Sequence, residues 1–561
     1  MAATEADPEY GEGVATGISM PEEEGTAEHR EVPVLKRRPS KSEEAEDSST
    51  GRLQAPGFIR WIEIPFKVAA PTTGRELMEA TAWSMDSAAR GPLNQAGSFV
   101  GAALLRLAYA DAFQQRCGTD EECYKTTNPQ TLKIYGLHPS SLLSFFAALV
   151  GVVTALTMPI VGAMIDRTTH RKAVGVVSAW LLIILAFVQL IISEDTWFIV
   201  LILETIGGYI LLIHIYTIFA YLPDLSYYEE DISHYTSRFN IRQFLSQATY
   251  VAIVVLISEI RDVQNNVESA IRTAREATGI AGAFAFIFMG YAWTFLFRKR
   301  HALQHVDDGS SVITTGFKSV SKTTKKIWKR YRCLKFLMCA LLFSPESGAG
   351  VILSVAVTFM TSFLDLTPQQ IGFTSLCMLV CNIPGSMISK YVCSRLNPLQ
   401  SYRIGLLCFS LVTAMTPVIL SGPDRKNGIF GFACFWGICF GWVYPSQRVL
   451  FCTLIPKGQE FEYMGMFAFY GQILGWLIPT IFTILNENDV SMRWSVSTTS
   501  YFLFTSWCLT LCMGSYEDGL KQVGNEDAAD INRSSKVIER ETEKDHNSEE
   551  GKDGMEAEAS A

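Results

Sequence analysis

Asp86 and Arg90 stand four residues apart in a largely apolar stretch, so a helix there sets a carboxylate and a guanidinium on one face. Ionisable groups inside a bilayer cost roughly 2.5 to 3.5 kcal/mol each on insertion scales, so they tend to be paired or functional. Direct pairing of Asp86 with Arg90 satisfies both groups. A shared ligand is the other option, with Arg90 as a forked donor to a carboxylate and Asp86 as acceptor for an ammonium. The stretch continues Gly91-Pro92-Leu-Asn94-Gln95, and a second Gly/Pro-interrupted segment, Ser344-Pro345-Glu346-Ser347-Gly348, lies far downstream. An expected helix break beside carboxylate and small polar groups makes Asp86, Arg90, Asn94 and Glu346 candidate substrate-binding residues, because freed backbone groups there can meet a polar ligand. Glu204 and His214 share another apolar run and suit proton coupling, with helix packing as the competing role for each. Tyr470, Gln472 and Trp476 offer hydrogen bonds and aromatic surface to a substrate, and aromatic packing is again the alternative.

These groups need a membrane scaffold. Of 561 residues, 48% are hydrophobic and 18% charged, a balance too apolar for several ordinary soluble domains. A spanning helix takes about 20 predominantly apolar residues, and twelve segments qualify. They lie near 77–108, 142–164, 173–193, 196–220, 244–260, 279–297, 336–363, 370–390, 402–421, 428–450, 464–486 and 494–514. The fold class expected is therefore an all-α polytopic membrane protein with twelve transmembrane helices in two six-helix halves. Such halves rock around a central site. The first fifty residues lack the apolar core of a cleavable signal, so the first span is expected to direct its own insertion.

Five regions follow: an acidic, disordered N-terminal tail (1–75), a first bundle (76–297), a basic central loop (298–335), a second bundle (336–515) and an acidic, disordered C-terminal tail (516–561). The tails carry net charges of −5 and −8, and such compositions bury too little apolar surface to fold. Twelve spans put both tails on one side, and the loops there hold 21 Lys and Arg against 9 opposite, which makes that side cytosolic. The run KTTKKIWKRYRCLK in the central loop mixes basic and aromatic residues, but its place between spans favours lipid headgroups over nucleic acid. No metal-ligand spacing occurs among the 13 cysteines, and neither a metal nor an organic cofactor is expected. Cys117 and Cys123, in CGTDEEC, fall on the side away from the tails, where an oxidising space favours a disulfide.

Between the second and third spans runs Gly162-Ala-Met-Ile-Asp166-Arg167-Thr-Thr-His170-Arg171-Lys172. This resembles the loop between spans two and three of the major facilitator superfamily. The resemblance implies a gating latch: Gly162 admits a close helix neighbour, and Asp166, with Arg167, Arg171 and Lys172 nearby, makes a charge contact in only one conformation. The corresponding place in the second half, Gly385-Ser-Met-Ile-Ser389-Lys390, has Ser389 where the acid stood. The block Leu454-Ile455-Pro456-Lys457-Gly458-Gln459-Glu460-Phe461-Glu462-Tyr463-Met464-Gly465, with Phe467-Ala468-Phe469-Tyr470-Gly471-Gln472 and Gly475-Trp476-Leu477-Ile478-Pro479, resembles the vacuole-effluxer, or autophagy-related protein 22, family. Trp83-Ser-Met-Asp86 and Leu222-Pro223-Asp224-Leu225 are similar to it as well. Where that family has a Gly-rich entry to span five, this chain has TSRFNIRQFLSQATY. The family resemblance implies a transporter moving amino acids from a vacuole or lysosome-like store to the cytosol; the partners expected are a small-molecule substrate and the lipid bilayer, with protons where Glu204 and His214 serve coupling rather than packing.

A transporter of another small nutrient or metabolite at the plasma membrane is the alternative within the same class, and two other classes compete. A receptor or scaffold needs no buried charge in its anchor, and a membrane-embedded enzyme needs clustered His, Asp or Cys groups that this chain lacks. The charge asymmetry makes one prediction. In sealed organelles a C-terminal tag should be cleaved by added protease; a protected tag overturns the topology.

Overall fold

A computed structural model of the chain describes residues 56–226, 229–261, 265–299, 311–345, 355–456 and 460–524. Among these, nine helices are long and apolar enough to cross a bilayer. They are Pro139–Ile165, Arg171–Ile191, Trp197–Phe219, His234–Ile260, Val267–Leu296, Pro368–Arg395, Pro398–Ile419, Gly428–Thr453 and Gly465–Glu487. They correspond to the expected spans two to six and eight to eleven. The remaining three are helical too: span one is Met78–Cys117, span twelve is Met492–Leu511, and span seven comprises Arg332–Leu342 and 355–363 on either side of undescribed residues. Glu346 lies in that undescribed stretch. The described residues contain no β-strand, only isolated bridges at Ala69–Glu76 and Ile134–Leu137. The architecture is all-helical and polytopic.

Span one does not break at Gly91-Pro92, contrary to the expectation. It continues through both residues to Cys117, more than two turns past the expected end. Pro92 has no N–H for the carbonyl of Ala88, one turn earlier, and the Ser246 hydroxyl donates to that oxygen instead at 2.5 Å. Gly91 makes the donor's approach possible, because a Cβ there would sit 2.7 Å from the Gln243 carbonyl of span five. Alongside, Gln247 Nε2 donates to Gln95 Oε1 at 2.9 Å, and Gln95 Nε2 donates to Ser98 at 3.2 Å. The interruption falls in span eleven instead. Helix Glu460–Gln472 gives way at 473–476 to helix Leu477–Glu487, where Gly151 of span two packs so tightly that a Cβ would meet Trp476 N at 2.6 Å.

In the second half, glycines replace polar bridges. Spans eight and ten meet backbone to backbone, since Cβ atoms on Gly385, Gly437 and Gly441 would lie 2.1 to 2.2 Å from the carbonyls of Ile438, Met378 and Asn382. Close approach of this kind supplies dispersion contact where lipid offers no hydrophobic driving force.

The tails begin later than composition suggests. Residues 56–75 are ordered: Gly57–Phe66 is a short helix, and Ile59, Ile62, Phe66 and Val68 pack on the core of spans one, three and six. Thr72 donates to Asp231 through its backbone N–H at 3.1 Å and its hydroxyl at 2.7 Å, and Ser226 donates at 2.8 Å. Burial pushes the Asp231 carboxyl up, but these donors outweigh it and hold the group below the usual carboxylate range. At the other end, residues 516–524 are helical and Val523 joins the core of the second half. In both places apolar side chains fix segments whose average composition is polar. The rest of the tails, 1–55 and 525–561, lies outside the described residues. The central segment is also more than a loop, since Val312–Arg330 is a helix. Cys117 ends span one, and a disulfide joins it to Cys123 on the short helix Glu121–Thr126.

The Ser246 bridge is testable by a double-mutant cycle. Ser246→Ala should lower stability by about 1 to 3 kcal/mol, because it strands a buried carbonyl. In a Pro92→Ala background the helix supplies its own N–H, so the same change should become nearly silent. Equal losses in both backgrounds would show that the bridge does not compensate for the proline.

Candidate functional site

Span one carries the site's anion. Asp86 is fully buried, and its Oδ2 lies 2.8 Å from Nε of Arg90, the ion pair that their four-residue spacing allows. Its Oδ1 receives two further contacts at 2.8 Å, from Nε2 of His214 on span four and from Nε1 of Trp293 on span six. Span three adds Ser178, whose hydroxyl lies 2.9 Å from Nδ1 of His214. That contact leaves Nε2 facing the carboxylate, so span three sets how the imidazole is presented. Four helices thus meet at one carboxylate.

The arrangement depends on a missing side chain. A Cβ on Gly175, one turn before Ser178, would lie 1.8 Å from the Trp293 ring, so the indole reaches Asp86 only because position 175 is bare. Trp293 also stacks on Phe297 at 4.2 Å and meets the His214 ring edge-on at 5.3 Å. Arg90 lies 5.0 Å over Trp83 and 6.0 Å over Phe219, while Arg448 of span ten lies 5.7 Å from the same Phe219 ring. Phe219 therefore carries a guanidinium from each half. Such contacts strengthen where water is excluded.

Sequence spacing links Asp86 with Arg90, and the fold adds His214 to them. Glu204 stands apart: Gln189 Nε2 donates to it at 2.7 Å, and its carboxylate lies over Gly97. Asn94 is exposed and outside the cluster. Tyr470 reaches Thr324 of the central helix at 3.4 Å, and Trp476 packs against Gly151, so neither joins Asp86. Gln472 sits half-buried at the end of helix Glu460–Gln472. Trp293, Ser178 and Arg448 escape a sequence reading because each is ordinary in its own helix. Only the Gly175–Ser178 turn of span three, small residues in an apolar run, hints at a close neighbour.

The latch differs from its expected form. Gly162 faces open space, so it admits no close helix. The tight approach lies alongside it, where a Cβ on Gly316 of the central helix would sit 2.3 Å from the Pro159 carbonyl and 3.2 Å from Ala163. Arg171 is buried and ties two helix ends together, donating to the carbonyls of Ile165 and Ala220 at 3.2 Å each. Lys172 lies beside it on span three, and the side chains of Asp166 and Arg167 fall outside the described residues. In the second half, Ser389 bonds Ser446 at 2.8 Å, which bonds Ser401 at 2.8 Å, a neutral hydroxyl chain in place of a charged latch.

On the side away from the tails the halves are fastened together. Asn486 of span eleven donates to Ser140 and Ser141 of span two at 2.7 Å each, and Ser144 bonds Thr483 at 2.8 Å. Glu487 accepts from the His138 backbone at 2.7 Å and lies 3.5 Å from Lys133. Arg106 donates to the Leu366 carbonyl at 2.8 Å. Chemically, the molecule holds a buried cluster of carboxylate, guanidinium and imidazole in the first half, and a hydrogen-bonded seam between the halves on the side away from the tails.

Gly175→Ala should displace the indole and cost about 1 to 3 kcal/mol through overpacking. In thermal melts its effect should shrink sharply in a Trp293→Phe background, where the clash is relieved. Additive losses would mean that the two residues are not coupled.

The family described as vacuole effluxer Atg22 like matches residues 76–523. Among curated proteins, autophagy-related protein 22 of Gibberella zeae is 23% identical over 237 residues, covering 38% of this chain and 36% of that protein. Its counterpart in Yarrowia lipolytica is 22% identical over 193 residues, covering 33% and 32%. The alignments thus span about a third of each relative. Among solved structures, a D-xylose–proton symporter superposes with a TM-score of 0.50 at 12% identity, covering 76% of this chain and 97% of the other, a likeness of fold alone. With a helical membrane fold among its described residues and a family match over most of its length, the chain belongs to the vacuole effluxer Atg22-like family and is a multi-pass membrane protein.

Proposed function

We propose that this transporter moves amino acids from a vacuole or lysosome-like store to the cytosol by alternating access, with protons as the coupling ion. The observation that carries the reading is the buried Asp86–His214–Arg90 cluster. A carboxylate that touches both an imidazole and a guanidinium joins a buried ion pair to the side-chain type best suited to carrying protons near neutral pH, and an acidic store would supply the gradient. Arg90 and Arg448, both beside the Phe219 ring, provide cationic forks from both halves for an α-carboxylate entering the seam. Glu346, outside the described residues, is assigned to the substrate ammonium on its sequence position. Glu204 is assigned as a second proton carrier. Asn94, Gln472, Tyr470 and Trp476 are kept for the opposite conformation, in which the span-eleven turn shifts. Arg171 and Lys172, with Asp166 and Arg167, are assigned to gating at the cytosolic ends of spans two and four.

The deciding experiment is uptake of a radiolabelled amino-acid panel into proteoliposomes, with and without a pH gradient. At least one amino acid should accumulate, faster with the gradient. Arg90→Lys should keep protein abundance but lower kcat/KM about tenfold, since losing one charge-assisted hydrogen bond costs roughly 1.5 kcal/mol. No uptake of any amino acid by folded protein overturns the substrate, and uptake indifferent to pH overturns the coupling.

A further inference from the structure

The sequence of the central helix Val312–Arg330 divides into three faces. With about 100° per residue, Gly316, Val320, Thr323 and Ile327 fall on one side. This is the face against the protein: Thr323 and Ile327 are each 1% exposed, and Gly316 touches span two at Pro159. Adjacent to it runs an apolar stripe, Ile313, Phe317 and Trp328, exposed by 53%, 46% and 46%. Across the helix runs a basic stripe of Lys318, Lys322, Lys325 and Lys329, all exposed. Lys335 lies 5.9 Å over the Trp328 ring and brings a further cation to the apolar side.

Position makes this pattern meaningful. Gly316 lies against the last turns of span two and Thr324 against Tyr470 near the start of span eleven, so the helix lies along the bundle at the level where these spans leave the bilayer. An exposed Trp–Phe–Ile stripe beside a lysine stripe at that depth matches a helix lying in the interface, with its rings among acyl chains and its lysines at headgroups. The cytosolic leaflet is the anionic one, and each Lys near such a surface contributes about 1 kcal/mol, a roughly fivefold preference. We propose that this helix is a docking surface for anionic phospholipid headgroups. Because it touches spans two and eleven, which belong to different halves, lipid bound there bears on both.

The test uses the full chain, which contains 11 Trp, in bilayers carrying brominated acyl chains. Quenching of Trp328 is read as the difference between the wild-type protein and W328F, in phosphatidylcholine alone and with phosphatidylserine added. The expected result is stronger quenching with the anionic lipid. That increment should be abolished by 0.5 M salt, a probe condition of order ten times a low-salt buffer. It should also be lost in K318Q/K322Q/K325Q/K329Q, whose unchanged thermal melt shows that it folds. Equal quenching in both bilayers would reduce the helix to an apolar anchor and overturn the proposal. Trp328 unquenched in every bilayer, with the four lysines shielded from acetylation in detergent, would assign the stripe to a protein partner and overturn it as well.

Discussion

A carboxylate in the low-dielectric interior must be neutralised or surrounded by donors, and the first half of this protein is organised around Asp86 meeting that requirement. Leaving it unpaired would cost several kcal/mol. Arg90 comes from the same helix and needs only helical geometry, but His214 and Trp293 must be delivered by spans four and six. Their delivery constrains span three in turn, because Gly175 must be bare for the indole and Ser178 must hold the imidazole. One buried charge thereby sets the mutual placement of four helices. Such clusters specify geometry more than they stabilise.

The two halves solve helix packing by different chemistry. Span one meets span five through polar bridges, from the Ser246 hydroxyl to the Ala88 carbonyl and from Gln247 to Gln95. Those donors come from the stretch TSRFNIRQFLSQATY at the entry to span five. Spans eight and ten instead pack glycine against carbonyl, and where the first half has a charged cluster the second has the hydroxyl chain Ser389–Ser446–Ser401. Glycine contacts and neutral hydroxyls carry no net charge and respond little to pH. The buried charges around Asp86 thus belong to the first half, and the second half approaches them through Arg448 at Phe219.

Alternating access needs contacts that hold one arrangement and can be exchanged for others. The seam between spans two and eleven has this character: Asn486, Ser140, Ser141, Ser144 and Thr483 form short, neutral hydrogen bonds, each worth about a kcal/mol net. Several together hold a state, yet water can replace them one by one. The turn at 473–476 lies beyond those bonds, where Gly151 of span two packs on Trp476, and a turn inside a span lets its two parts tilt separately.

Much of this was legible in the chain itself. Run length and apolarity specify helices of bilayer length, the four-residue spacing of Asp86 and Arg90 specifies an ion pair, and the span-eleven block specifies the family, because each is a local pattern that needs no knowledge of neighbours. Other features needed the fold. Gly91-Pro92 reads locally as a break, and only a hydroxyl from a helix more than a hundred residues away repairs it. Gly162 reads as a contact point, whereas the contact is made one turn earlier by Gly316 of the central helix. The ordered ends of both tails depend on a few apolar residues finding a surface that composition averages conceal. His214, Trp293, Ser178 and Arg448 lie on four different helices, and nothing in their local sequences says which neighbours they face. A side chain's helix follows from its neighbours in the chain, but its partner follows from how helices rotate against one another, and that rotation is decided by the summed packing and charge of all of them.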